Sequence, residues 1–137
     1  MSNDFNAKVI EEFRANGGKV GGPFEGADLV LLTTVGAKSG RQVTSPVMYL
    51  PDGDRIVVIA SNAGADHHPA WYHNLTANPQ ATAEVGTETY EIKAVTVSDD
   101  ERDTLYARMV AIAPGFADYE AATTRRIPVL ALYRVEA

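Results

Sequence analysis

Apolar residues return every three or four positions near the start of the chain, where Phe5, Val9 and Phe13 share a face with Ile10 beside them. That spacing predicts an amphipathic helix over residues 3–16, stopped by Asn16-Gly17-Gly18. A glycine-rich loop follows, from Val20 to Gly26. The pattern then changes. Leu29 to Val35 is a continuous apolar and β-branched run of one strand length, Gln42 to Leu50 alternates less cleanly, and Arg55 to Ala60 is apolar again. The first two runs are joined by Gly36-Ala37-Lys38-Ser39-Gly40-Arg41 and the next two by Pro51-Asp52-Gly53-Asp54. Connections this short favour an antiparallel meander, because a parallel crossover needs a dozen or more residues.

Ser61 to Ala65 leaves the third strand as a loop of small residues, and Pro69 opens a short helix that Asn78-Pro79 ends. Strands are expected at 81–85 and 89–97. Ser98-Asp99-Asp100-Glu101 matches a capping box, with Glu101 reaching back to the cap, and a helix runs on to about Ala113 with Leu105, Met109 and Ile112 on one face. Phe116 to Ala122 forms one or two further helical turns, and a last strand spans 128–135 with Val129, Ala131, Tyr133 and Val135 on one side. Six strands with flanking helices predict an α+β, mainly antiparallel small barrel, an open sheet being the alternative. At 137 residues the whole chain, 1–137, fits one domain. The N-terminal helix is expected to pack on the core, the alternatives being a lid over a site and a membrane-surface helix, the last of which Glu11 and Glu12 oppose.

Composition narrows the chemistry. Twelve Lys and Arg against 18 Asp and Glu leave a net charge of −6, which argues against bulk nucleic-acid binding. The sequence has no Cys, which removes disulfides, thiolate metal sites and cysteine nucleophiles and makes a cytoplasmic location the default. No apolar run reaches the roughly 20 residues of a membrane helix.

Lys38, Ser39 and Arg41 around two glycines suit an anion, since glycine backbone can present its N–H groups beside the cations. A solvated hairpin turn explains the same residues equally well. The turn is not a nucleotide-binding P-loop: that motif needs glycines where Leu32 and Ala37 stand and a helix where a strand follows. His67, His68 and His73 lack a nearby carboxylate set beyond Asp66, so no metal is expected, and no serine sits in a Gly-x-Ser-x-Gly elbow. Trp71, Tyr72, Phe116 and Tyr119 are aromatics beside loops. Residue chemistry alone describes a ligand cleft without a catalytic set.

The ordered fragments Leu31-Leu32-Thr33-Thr34-x-Gly36-x-Lys38-Ser39-Gly40, Pro46, Ala60-Ser61-x-x-Gly64-Ala65 and Pro69-x-Trp71-Tyr72-x-Asn74-Leu75-x-Ala77-Asn78-Pro79 span most of the chain, and Asp118-Tyr119 and Arg126-Ile127-Pro128-Val129 continue them. Together they resemble the deazaflavin-dependent nitroreductase family, actinobacterial split-barrel oxidoreductases that use coenzyme F420, an 8-hydroxy-5-deazaflavin. The resemblance implies that Gly36, Lys38, Ser39, Gly40 and Arg41 hold the acidic tail of the cofactor. It places Pro46, Trp71 and the loop Ser61, Asn62, Ala63, Gly64 and Ala65 at its pocket. It gives Tyr119 and Ser61 catalytic roles in hydride transfer to a quinone, nitro compound or related conjugated acceptor. Two positions depart from the family pattern. Val43 stands where an arginine is common, with Arg41 able to substitute, and Ala122 stands where a substrate-side aromatic is common. A small hydrophobic quinone is therefore expected in preference to a nitroimidazole, with peripheral membrane association as one setting. The competing readings are a non-catalytic F420 carrier and an FMN- or haem-binding split-barrel protein.

Overall fold

The computed structural model describes residues 2–21 and 26–135, with the side chains of residues 2–5 and of Ala63 outside that description. The Phe5 side chain and the middle of the glycine-rich loop, Gly22-Pro23-Phe24-Glu25, therefore lie outside the described residues. Four helices and six strands follow in the order α1 (Ser2–Ala15), β1 (Leu29–Val35), β2 (Gln42–Asp52), β3 (Arg55–Ile59), α2 (Ala70–Ala77), β4 (Gln80–Val85), β5 (Glu88–Thr96), α3 (Asp99–Ile112), α4 (Gly115–Ala121) and β6 (Val129–Arg134). A short 3-10 turn, Asn62–Gly64, lies between β3 and α2.

The sheet closes in the order β1-β2-β3-β6-β5-β4, and β4 pairs back onto β1. Every pairing is antiparallel. The barrel anticipated from the strand pattern is thus the fold, and the open sheet is not.

Closure gives strand residues two buried sides. Val30 and Leu32 of β1, Val58 of β3, Ala81 and Ala83 of β4, Ile92 and Ala94 of β5, and Leu130 and Leu132 of β6 form one cluster inside the barrel, joined by Trp71 and Leu75 of α2. The opposite faces are covered by helices. Val9 and Phe13 of α1 pack on Leu29 and Leu31, so the N-terminal helix docks on the barrel as expected. Arg14 fixes it further through a two-pronged contact with Glu84 of β4, Nε to Oε1 at 3.0 Å and a terminal nitrogen to Oε2 at 2.7 Å. Leu105, Tyr106 and Met109 of α3, with Phe116 of α4, cover Val57, Ile59 and Val129.

This double cover corrects two sequence readings. β6 buries both faces from Val129 to Leu132, whereas Tyr133 and Val135 are exposed where α3 no longer covers the strand. On α3 the buried stripe is Arg102, Leu105, Tyr106 and Met109 and continues to Ala113, which leaves Ile112 63% exposed. The capping box is half made. The Ser98 hydroxyl accepts the Glu101 N–H at 3.4 Å, but the Glu101 carboxylate turns to Arg55 at 2.7 Å, an ion pair that outcompetes the reciprocal cap bond.

Among the described residues no helix is long and apolar enough to cross a membrane.

Candidate functional site

A cleft of about 510 Å³ opens where β2, the loop after β3, the start of α2 and α4 converge, with Asn6 of α1 on its rim. Its polar lining is Asn6, Ser45, Ser61, Asn62 and Tyr119, and its apolar walls include Pro46, Trp71 and Phe116. Among the described residues no charged side chain lines it. The hydroxyls of Ser45, Ser61 and Tyr119 make no hydrogen bond with the described residues, and no buried side-chain polar atom among those residues is left unpartnered. They open into the cleft and are free to meet a ligand, a neutral donor and acceptor set within apolar walls.

Tyr119 is aimed by its own helix. Phe116, one turn earlier on α4, packs edge-on against it with ring centres 5.2 Å apart and planes at 77°. The Tyr106 hydroxyl donates to the Phe116 carbonyl at 2.6 Å, and burial with the nearby Glu120 carboxylate pushes its pKa up to about 12, so this donor stays protonated. Arg102, 7% exposed, donates to Glu120 at 2.8 Å and to the Ile127 carbonyl at 3.0 Å, tying the end of α4 and the chain leading to β6 to α3.

The small residues after β3 serve a contact inside the chain. Gly64 has φ +81°, and a Cβ placed there would come within 3.1 Å of Ala122 Cβ and 3.2 Å of the Tyr119 backbone. Only glycine lets this loop seat against α4. Asn62 also takes a positive φ, 47°, and its side-chain amide donates to the His67 carbonyl at 3.2 Å.

The basic turn lies beside the cleft, outside its lining. Gly36 N–H donates to the Arg41 carbonyl at 2.7 Å, Gly40 N–H to the Gly36 carbonyl at 2.9 Å, and Arg41 N–H to the Ser39 hydroxyl at 3.1 Å. That hydroxyl accepts within its own turn and keeps its proton for an outside acceptor. Lys38 and Arg41 are exposed and make no ion pair with the described residues. The turn is fastened to α2 by buried Asn74, whose Oδ1 accepts the Ala37 N–H at 2.9 Å and whose Nδ2 donates to Thr34 Oγ1 at 3.0 Å. Trp71 stands three positions before Asn74, so one helix carries a cleft wall and the fastening of the turn.

Of the residues singled out from sequence, the cleft gathers Pro46, Ser61, Asn62, Trp71 and Tyr119. Gly36, Lys38, Ser39, Gly40 and Arg41 form the neighbouring turn, Gly64 sits against α4, and the Ala65 carbonyl accepts from Arg125 at 2.8 Å. Ala63 belongs to the 3-10 turn. Sequence reading passed over Asn6, Ser45 and Arg125, named Phe116 only as an aromatic beside a loop, and quoted Asn74 without a role. A polar residue one helical turn after Trp71 was the available signal for Asn74, since a buried amide must find partners. His68 is half-buried beside Arg125, and the two effects, burial first, hold its pKa below the usual 6.5.

A closed six-stranded antiparallel barrel with helices on its outside is the split-barrel architecture of F420-dependent reductases. The sequence model of the F420H(2)-dependent quinone reductases matches residues 7–134, and the chain belongs to that family of oxidoreductases, whose cofactor is coenzyme F420. It is 36% identical over 128 residues to an F420H(2)-dependent quinone reductase of Mycobacterium tuberculosis, an alignment covering 89% of this chain and 85% of that protein. A solved F420-H2 dependent reductase, FDR-A, superposes with a TM-score of 0.70 at 33% identity over 77% of this chain and 93% of its own. A second structure, described as a domain-swapped dimer, reaches a TM-score of 0.71 at 30% identity over 92% of each chain.

The residues present fit that cofactor. A flat ring system with a polar edge would fit the cleft with its Trp71 wall and hydroxyls, and an acidic tail would fit the exposed cations of the turn.

Proposed function

We propose that the chain reduces quinones, and related conjugated carbonyl or nitro acceptors, with reduced F420, and that the cleft is where the two meet. The carrying observation is the convergence of three free hydroxyls and Trp71 in a cleft without charge. Bound there, the reduced cofactor supplies a hydride. The chain's residues do the rest. Lys38, Arg41 and the Ser39 hydroxyl hold the acidic tail, while Gly36 and Gly40 give the turn its shape. Ser61 and Asn62 hydrogen-bond the polar edge of the ring system, with Pro46 and Trp71 packed on its apolar faces.

Tyr119 faces the same space from α4. Its hydroxyl orients the acceptor oxygen and donates a proton to it as negative charge develops, so that a quinone leaves as hydroquinone. The absence of charge in the lining favours a neutral, apolar acceptor over an anionic one, because a charged group would lose hydration there without a counter-ion. We place this activity in the cytoplasm, with quinones drawn from the membrane surface.

The test follows fluorescence of Trp71, the single tryptophan, during titration with F420 and separately with FMN, and then oxidation of reduced F420 by menadione. Quenching by F420 with menadione-dependent turnover is expected, and Tyr119→Phe should lower kcat about 10- to 100-fold with F420 affinity unchanged. Quenching by FMN alone would overturn the cofactor site. F420 binding without oxidation by any quinone would instead make the protein a carrier.

A further inference from the structure

Arg125 lies between α4 and β6, half-buried beneath the loop that follows β3. Its guanidinium donates to the carbonyls of Ser61 at 2.7 Å, Ala65 at 2.8 Å and Ala60 at 3.2 Å, and it faces His68 Nδ1 at 2.8 Å. A guanidinium has only donors, so His68 accepts at Nδ1, is neutral, and carries its proton on Nε2. One side chain thus gathers acceptors from both ends of the loop.

The loop needs such a centre. Two backbone hydrogen bonds close its 3-10 turn, Gly64 N–H to the Ser61 carbonyl at 2.9 Å and Ala65 N–H to the Asn62 carbonyl at 3.0 Å. Against them stand positive φ angles at Asn62 and Gly64 and three carbonyls drawn toward one point. Carbonyl dipoles converging this way repel unless a cation sits among them. Arg125 satisfies them together, and its planar fork spans acceptors that a single ammonium could not.

We propose that Arg125 is a positioning residue for the reaction: by gathering the Ala60, Ser61 and Ala65 carbonyls and the His68 ring, it holds the Ser61 and Asn62 side chains toward the cleft. It lies outside the cleft lining and acts through the loop. The inference rests on the reading above that this loop carries the cofactor ring.

Amide hydrogen exchange on the protein without cofactor tests the clamp separately from the activity. In Arg125→Ala, exchange at Gly64 and Ala65 should accelerate at least about tenfold while Leu32, Val58 and Leu130 in the barrel keep their protection. The KM for reduced F420 should rise about tenfold, more than kcat falls, and added guanidinium should restore part of both effects. Arg125→Lys, which keeps the charge and loses the fork, should fall between the two and serves if the alanine variant does not fold.

Unchanged exchange at Gly64 and Ala65 would overturn the inference. So would an equal loss of protection across the barrel, which would make Arg125 a general stabilising residue. Loosened exchange with unchanged KM and F420 affinity would overturn it by another route, since the loop would then be held for the fold alone. Failure of the site reading itself has a different signature, the lack of Trp71 quenching by F420 in the unaltered protein.

Discussion

The basic turn and the loop after β3 are both short connections, and they are held in opposite ways. The turn from Gly36 to Arg41 closes mainly on itself, with hydrogen bonds among Gly36, Ser39, Gly40 and Arg41, and reaches outside through the Ala37 N–H on Asn74. The loop from Ala60 to His68 is held from far along the chain, by Arg125 and by the backbone of Tyr119. The turn therefore leaves its cations exposed to solvent, while the loop is wedged between a guanidinium and a helix. A connection that completes its own hydrogen bonds can receive a charged tail without disturbing the fold. One that borrows them makes the cleft depend on distant residues.

The sharpest way to break the contrast is at Gly64. Gly64→Ala should cost roughly 2–4 kcal/mol, combining a left-handed backbone with a contact against α4, whereas Gly40→Ala in the turn, where φ is 73° and nothing lies within 4 Å of the added Cβ, should cost about 1–2 kcal/mol. Urea unfolding of the two variants measures the difference, and equal losses would remove the distinction.

Next comes the fastening of the turn. Asn74→Ala removes the partner of the Ala37 N–H and of the buried Thr34 hydroxyl, and a loss of about 1–3 kcal/mol is expected by the same measurement.

Smaller again is the effect of Lys38→Ala. F420 affinity should fall about five- to tenfold and become less salt-dependent, with stability unchanged because the side chain is exposed and unpaired. An affinity equal to that of the unaltered protein at low salt would remove the turn from the binding site.

The smallest effect belongs to His68. Its folded pKa lies below the usual 6.5, so the unfolded chain takes up the proton first as pH falls. The stability it contributes is complete above pH 6.5 and is lost as pH drops from there through the folded value. His68→Asn, which keeps an acceptor near the Nδ1 position, should flatten thermal-melt Tm across that window, and an unchanged slope would show that another group sets it.

The same contrast explains what was legible in the sequence. Strand runs, short connections and the Phe5-Val9-Phe13 spacing prescribe local geometry, and six antiparallel strands with flanking helices follow from them. The turn at Lys38, Ser39 and Arg41 is legible because its hydrogen-bond partners are sequence neighbours, while its residues alone leave an anion site and a solvated hairpin equally open. The cleft is harder. Ser45 sits in an ordinary strand and Asn6 on an ordinary helix, and only barrel closure turns both toward Trp71 and Tyr119. The resemblance puts Gly64 at the cofactor pocket, and its tight contact within the fold is with Tyr119 and Ala122, partners that no local pattern announces. Arg125 has no local signature, because its four acceptors lie 57 to 65 positions earlier in the chain.

Barrel closure also sets an order of events in time. β3 is made early, but its second neighbour, β6, begins only at Val129, and Ile59 pairs with Val129 itself. Contacts of such long sequence separation form late, because the intervening chain must lose its freedom before the contact repays it. Arg125 lies just before that strand, so on the ribosome β3 and the loop behind it wait through the making of β4, β5 and three helices for their partners. During that interval the apolar Ile56-Val57-Val58-Ile59 run has an unpaired edge, and a nascent chain stalled there is the form most open to capture by chaperones or to association with other unfinished chains.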